Sequence, residues 1–144
     1  MSILATEQAA AIAGREGKAT SNDGKIDFKI SPPGSKGDGT NPEQLFAAGY
    51  AACFGQAIKQ IAKDFDIDIK DENVEVDITI KLHKEDEKGL FLSAQLNADI
   101  PGASQEDAEK LVAKAHETCP YSKAIRGNVD VTLQASGQEI KQAA

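Results

Sequence analysis

Sulfur is scarce in this chain. Its 144 residues hold two cysteines, Cys53 and Cys119, and one methionine. No Cys-x-x-Cys pair occurs, which removes the commonest zinc spacing. Two thiols in a reducing compartment make a structural disulfide a poor expectation. They are catalytic, metal-binding or simply buried. Long apolar runs are missing too: none approaches the roughly 20 residues of a membrane helix. Residues 1–7 carry neither a basic flank nor a long apolar stretch, so no secretory leader is read there. The expectation is a cytoplasmic protein of a prokaryote-like cell with no membrane association. Positive charge is in deficit, with 16 Lys and Arg against 23 Asp and Glu, a net charge of −7. Non-specific nucleic-acid binding needs a basic face, so nucleic acid is not an expected partner. Internal repeats, Gly-rich phosphate loops and serine nucleophile elbows are also absent.

What is present fits one domain, 1–144, with ordinary hydrophobic (40%) and charged (27%) content. Residues 4–12 and 17–30 read as a hairpin around Gly14-Arg15-Glu16-Gly17, with a turn or bulge at Asn22-Asp23-Gly24. Residues 31–40 are loop by composition. A helix is predicted from about 42 to 65, capped by Thr40 or Asn41, with Pro42 at its first position and Glu43 at its positive end. Its apolar stripe is Leu45, Phe46, Gly49, Tyr50, Cys53, Ala57, Ile61 and Phe65. The Ala- and Gly-rich first half makes it slim, as a buried central helix would be. Strands are predicted at 74–82 and 90–100, then a helix capped by Ser104 and stopped by Pro120. One further turn over 121–125 and a last strand at 128–133 complete an α+β pattern. The tail from Gln138 to Ala144 reads as frayed.

The chemistry centres on the thiols. A reactive Cys53 needs a cation, because apolar burial opposes thiolate formation. The only arginines are Arg15 and Arg126. Ten residues of helix rise about 15 Å, so Glu43 does not reach Cys53 along one straight helix. Glu43 can instead hold Arg15 in a bidentate pair. Cys119 precedes Pro120 and reads as the cap of the short turn after it, where a thiol pKa is lowered. The plain alternatives are a buried Cys53, a solvated Arg15, a Glu43 that only complements the helix dipole, and a Cys119 that merely ends a helix. A metal set of His116, Cys119 and Cys53 is a lesser alternative, with His83 on a separate strand.

Asn41-Pro42-Glu43-Gln44-Leu45-Phe46-Ala47-Ala48-Gly49-Tyr50-Ala51-Ala52-Cys53-Phe54 resembles the first signature of the organic hydroperoxide resistance (Ohr) branch of the Ohr/OsmC family. The run from Cys119-Pro120-Tyr121-Ser122-Lys123 to Val131 resembles the second. The Gly14–Gly17 turn and Asn22-Asp23-Gly24 are similar to the family's N-terminal hairpin. The resemblance implies antiparallel sheets around a central buried helix in an intertwined homodimer. It implies a peroxidatic Cys53, a resolving Cys119, an Arg15 that stabilises the thiolate and a Glu43 that orients Arg15. No bound cofactor or metal is implied. The substrate would be an alkyl or fatty-acid hydroperoxide, and the electron donor dihydrolipoamide or a lipoylated protein. Phe46, Tyr50 and Phe54 are candidates for the organic-tail pocket, with core packing as the default. An osmotically induced-branch peroxidase of broader use, a thiol redox sensor or binding protein, and a domain with inert thiols are the competing readings.

Overall fold

The computed structural model describes residues 1–141, which divide into two compact units, Met1–Leu45 and the remainder. In the first unit, β1 (Ala9–Ile12), β2 (Lys18–Ser21) and β3 (Asp27–Lys29) form an antiparallel sheet in sequence order. The hairpin is present, but 17–30 is two strands rather than one. The reason is the Asn22-Asp23-Gly24 segment. Asp23 Oδ1 accepts from the Lys25 amide at 3.1 Å and from the Ser21 hydroxyl at 2.6 Å, so the chain turns fully there. The 31–40 loop is closed at its neck by Ser31 N to Thr40 O (2.8 Å) and Thr40 N to Lys29 O (2.9 Å).

The β1–β2 connection is a 3-10 turn, Gly14–Glu16, entered through Ala13 and Gly14, both left-handed at φ 59° and 54°. Gly17 closes it with no room for a side chain, since a Cβ there would collide with the Ile12 carbonyl. Gly17→Ala is expected to cost about 1–3 kcal/mol as the hairpin opens. A thermal melt of the variant beside the parent checks this.

Helix α1 (Pro42–Asp64) has its first turn in the N-terminal unit and the rest in the second. Asn41 is the cap: its Oδ1 accepts from the Gln44 amide at 2.9 Å. The second unit adds β4 (Glu75–Glu85), β5 (Gly89–Asp99), α2 (Gln105–Thr118), α3 (Pro120–Ile125), β6 (Asp130–Ala135) and β7 (Gln138–Ile140). The sheet order is β4-β5-β6-β7. β4 and β5 pair antiparallel from Glu75↔Asp99 to Glu85↔Gly89. β6 pairs with β5 in parallel, Ser93↔Asp130 to Ala98↔Ala135. The sheet is therefore mixed, not antiparallel throughout. The α2–α3 segment is a crossover long enough to return the chain in the same direction, which a short turn cannot do.

β7 corrects the frayed-tail reading up to Ile140; the rest of that reading, from 142 on, lies outside the described residues. Ser136 and Gly137, at φ 50° and 76°, make a two-residue turn that folds β7 back on β6.

The core of this unit is Tyr50, Phe54, Ile58 and Ile61 of α1, Leu96 of β5, Leu111, Val112 and Ala115 of α2, and Leu133 of β6. The α2 face and its Ser104 cap match expectation, Ser104 Oγ accepting from the Asp107 amide at 3.1 Å. The α1 stripe matches in part: Tyr50 and Ile61 are buried, and Phe46, Cys53 and Ala57 pack against the core from partly buried positions. Its buried line runs through Tyr50, Phe54, Ile58, Ile61 and Ala62, and Phe65 is exposed beneath the Lys110 ammonium, 4.7 Å from its ring. Alanine surrounds most of the helix, so the pattern leaves the rotation of the face open. Cys53 consequently flanks the core instead of facing its centre.

Candidate active site

In the N-terminal unit, the 3-10 turn carries Arg15 and the first turn of α1 carries Glu43. Their side chains form a two-point pair: Arg15 Nη1 donates to Glu43 Oε2 at 2.9 Å and Nη2 to Oε1 at 2.7 Å. Glu43 is the better shielded, with 14% of its side chain exposed against 43% for Arg15. The arginine hydrogen bonds hold the Glu43 carboxyl below the ordinary carboxylate range, against the opposing effect of partial burial. The same bonds raise the Arg15 pKa. The geometry is a fork holding a guanidinium in one orientation.

In the second unit, the two thiols meet. Both are free, and Cys119 Sγ donates to Cys53 Sγ at 3.6 Å. Their environments differ. Cys119 is completely buried, whereas Cys53 keeps some exposure. Cys119 ends α2 and caps α3: its amide donates to Ala115 O at 2.8 Å, and its carbonyl accepts from Lys123 N at 2.9 Å. Its side chain makes no cap hydrogen bond; the sulfur is directed at Cys53 instead.

Burial pushes the Cys53 thiol pKa up, and the Cys119 thiol adds to this; the Tyr121 amide opposes it. A positive partner is what the site calls for.

Cys53 opens on a cavity of about 560 Å³. Gln56, Ala57, Gln60 and Ile61 line it along α1, and Thr118 and Pro120 line it near Cys119. Phe46, Tyr50 and Phe54 do not. They pack with Tyr121 in an aromatic cluster, with Tyr50 5.9 Å from Phe46, 6.2 Å from Phe54 and 5.7 Å from Tyr121, ring centre to ring centre. Core packing is their role. Gly49 lets Tyr121 lie against the helix: a Cβ there would meet the Tyr121 hydroxyl at 2.9 Å.

His116, Cys119 and Cys53 are not gathered into one ligand set. His116 Nδ1 is engaged by Ser122 Oγ at 3.0 Å, and among the described residues no three His, Cys, Asp or Glu side chains gather into a ligand set. His83 is on β4, bonded to Ser93 Oγ at 2.7 Å and stacked on Phe91. Sequence reasoning missed the cavity-lining glutamines and the polar group around Ser122. A serine one turn beyond Cys119, in an otherwise apolar corner, was the available signal.

The fold matches that of solved organic hydroperoxide resistance proteins. The family profile described as OsmC-like protein covers residues 35–134. The organic hydroperoxide resistance protein of Xanthomonas axonopodis pv. citri is 45% identical over 91% of this chain and 94% of its own length. Organic hydroperoxide resistance protein OhrB of Bacillus subtilis is 46% identical over 91% of this chain and 97% of its own. The OhrB crystal structure superposes with a TM-score of 0.86 over 93% of this chain and all (100%) of that one. A crystal structure of an organic hydroperoxide resistance protein from Legionella pneumophila, 48% identical, superposes at 0.87 over 94% and 99%. The chain belongs to the Ohr/OsmC family, in its organic hydroperoxide resistance branch.

No helix of the described residues is long and apolar enough to cross a membrane.

Proposed function

We propose that the chain is a cysteine-based peroxidase that reduces organic hydroperoxides to alcohols in oxidative-stress defence. The observation that carries this reading is the 3.6 Å contact between a partly exposed Cys53 beside a cavity and a fully buried Cys119. The unequal exposure supports a division of labour: a bulky hydroperoxide can meet Cys53 and not Cys119.

The Cys53 thiolate attacks the distal peroxide oxygen. The O–O bond breaks, the alkoxide takes a proton to leave as alcohol, and Cys53 becomes a sulfenic acid. Cys119 sulfur then attacks Cys53 sulfur, expelling the hydroxyl as water and leaving a Cys53–Cys119 disulfide. A disulfide bond is about 2.05 Å long, so the sulfurs close by roughly 1.5 Å. An external dithiol reopens the bond by exchange and is itself oxidised to a disulfide. Arg15, oriented by Glu43, supplies the positive charge that Cys53 lacks among its own surroundings. The donor is a dihydrolipoyl group, free or on a protein. Ala57, Ile61 and Pro120 support an apolar tail as the preferred substrate feature.

Both units act as one domain in a cytoplasmic homodimer. The exposure of Leu82 and Leu90 on the β4–β5 hairpin, at 41% and 65%, supports a second copy as partner.

The test is a single-turnover reaction of the reduced protein with a bulky alkyl or fatty-acid hydroperoxide, then with hydrogen peroxide. Dihydrolipoamide follows. Faster reaction with the organic substrate, loss of two thiols per chain and turnover on dithiol addition are expected. Equal rates with both peroxides would point to the osmotically induced branch. A stable disulfide without turnover would point to a redox sensor.

A further inference from the structure

A chain of polar side chains lies behind the cysteines. Ser122 is completely buried, and its Oγ stands 2.8 Å from the Tyr50 hydroxyl and 3.0 Å from His116 Nδ1. Each member sits one helical turn from a thiol. Tyr50 precedes Cys53 on α1, His116 precedes Cys119 on α2, and Ser122 follows Cys119 on α3. A serine hydroxyl donates once and accepts twice, so Ser122 can serve both partners together. Burial and the nearby Arg126 push the His116 pKa down, with Glu117 opposing, which favours the neutral imidazole. Arg126 Nη2 also donates to the His116 carbonyl at 2.6 Å, holding the end of α2 to the end of α3.

The mechanical consequence follows from where Cys119 sits. It is the elbow between α2 and α3, so its sulfur goes where the elbow goes. Ser122 ties that elbow to the turn of α1 that bears Cys53, and His116 ties Ser122 to α2. A hydroxyl–hydroxyl bond in a dry core is directional, and leaving either partner unpaired there is costly. None of the three side chains lines the cavity at Cys53.

The geometry points to a positioning clamp: Tyr50, Ser122 and His116 hold the Cys119 elbow against the Cys53 turn and so set the rate of disulfide closure without touching the hydroperoxide. Its place in a catalytic cycle rests on the peroxidase reading above.

The experiment separates closure from the first oxidation. Reduced parent, Tyr50→Phe and Ser122→Ala proteins are mixed with one equivalent of organic hydroperoxide. Sulfenic acid is trapped with dimedone, and the disulfide is followed by mass. Each variant is expected to oxidise Cys53 at the parental rate and to close about tenfold or more slowly, as misplaced reacting groups do. Dimedone adduct then accumulates. His116→Asn, whose amide can occupy the place of Nδ1, should retain closure, whereas His116→Leu should lose it. In a second arm the Cys53–Cys119 disulfide is equilibrated with dithiothreitol buffers. The disulfide should be about tenfold easier to reduce in Tyr50→Phe and Ser122→Ala. Parental closure rates and parental equilibria in these two variants would overturn the clamp. So would equal slowing of oxidation and closure, which marks a general loss of structure. The buffer arm needs no peroxide: a parent that ignores hydroperoxides refutes the peroxidase reading and leaves the clamp to be decided by the equilibria.

Discussion

Replacing Cys53 with serine is expected to abolish hydroperoxide consumption, whereas Cys119→Ser is expected to stop after one turnover. The asymmetry comes from the two positions. Cys53 borders the cavity, and Cys119 is fully buried at 3.6 Å from it. A serine hydroxyl is un-ionised at neutral pH and a poor nucleophile toward peroxide oxygen, so the rate should fall by at least about 10³-fold, as when other nucleophiles are removed. In Cys119→Ser the first step is intact, but the sulfenic acid has no partner. It should be trapped by dimedone, and excess peroxide should carry it on to sulfinic acid. Mass spectrometry of the two variants after a stoichiometric and an excess peroxide pulse reads both outcomes. Loss of activity in Cys119→Ser without a trapped sulfenic acid would reverse the assignment. The substitution is conservative in volume, which keeps the buried site filled.

Arg15→Ala is expected to raise the pH at which Cys53 becomes reactive. Burial and the neighbouring thiol push the Cys53 pKa above its ordinary value, and the Tyr121 amide opposes them. A guanidinium acts in the other direction, favouring the charged form, and an opposite charge close by lowers a pKa by about 1–3 units. Removing it moves the midpoint of Cys53 alkylation upward, and reactivity at neutral pH falls. Cys119→Ser is the background for this titration, so that one thiol is read. Glu43→Gln should shift the midpoint in the same direction by less, because the arginine keeps its charge and loses its fork.

The acid side has the opposite sign. The Glu43 carboxyl is held low by Arg15, so the pair and its contribution to stability are complete above the ordinary carboxylate pKa. They are lost as pH falls through the lowered value. An unmoved alkylation midpoint in Arg15→Ala would mean that some other group sets the Cys53 thiolate.

Local signals in the sequence carried a large part of this structure. Pro42 and the Asn41 cap announce α1, Ser104 and Asp107 announce α2, and alternation from Val74 marks β4. These are short-range effects, fixed by dihedral preference, one hydrogen bond or a side-chain period of two. The pairing of Arg15 with Glu43 was readable because a bidentate partner for a turn arginine is a chemical expectation. Four things were not readable. The parallel β5–β6 pairing depends on where a crossover lands, and β7 on a two-residue Ser-Gly turn in a tail of polar residues. The rotation of α1 was hidden by its alanines, which accept either a core or a solvent environment. Whether the aromatic side chains beside Cys53 line a substrate pocket was open, with core packing as the default, and core packing is what the structure shows.

The sequence by itself determined most of the elements, the caps of α1 and α2, the family and the identity of four polar or sulfur side chains with chemical potential: Cys53, Cys119, Arg15 and Glu43. Only the tertiary structure decided that Cys53 flanks the core beside a cavity, that Cys119 is the buried member at 3.6 Å, and that Ser122 bridges Tyr50 and His116 behind them. The physical reason is range. Propensity and capping act over a few residues along the chain, whereas a thiol–thiol contact across 66 positions exists only once α1, α2 and α3 have packed.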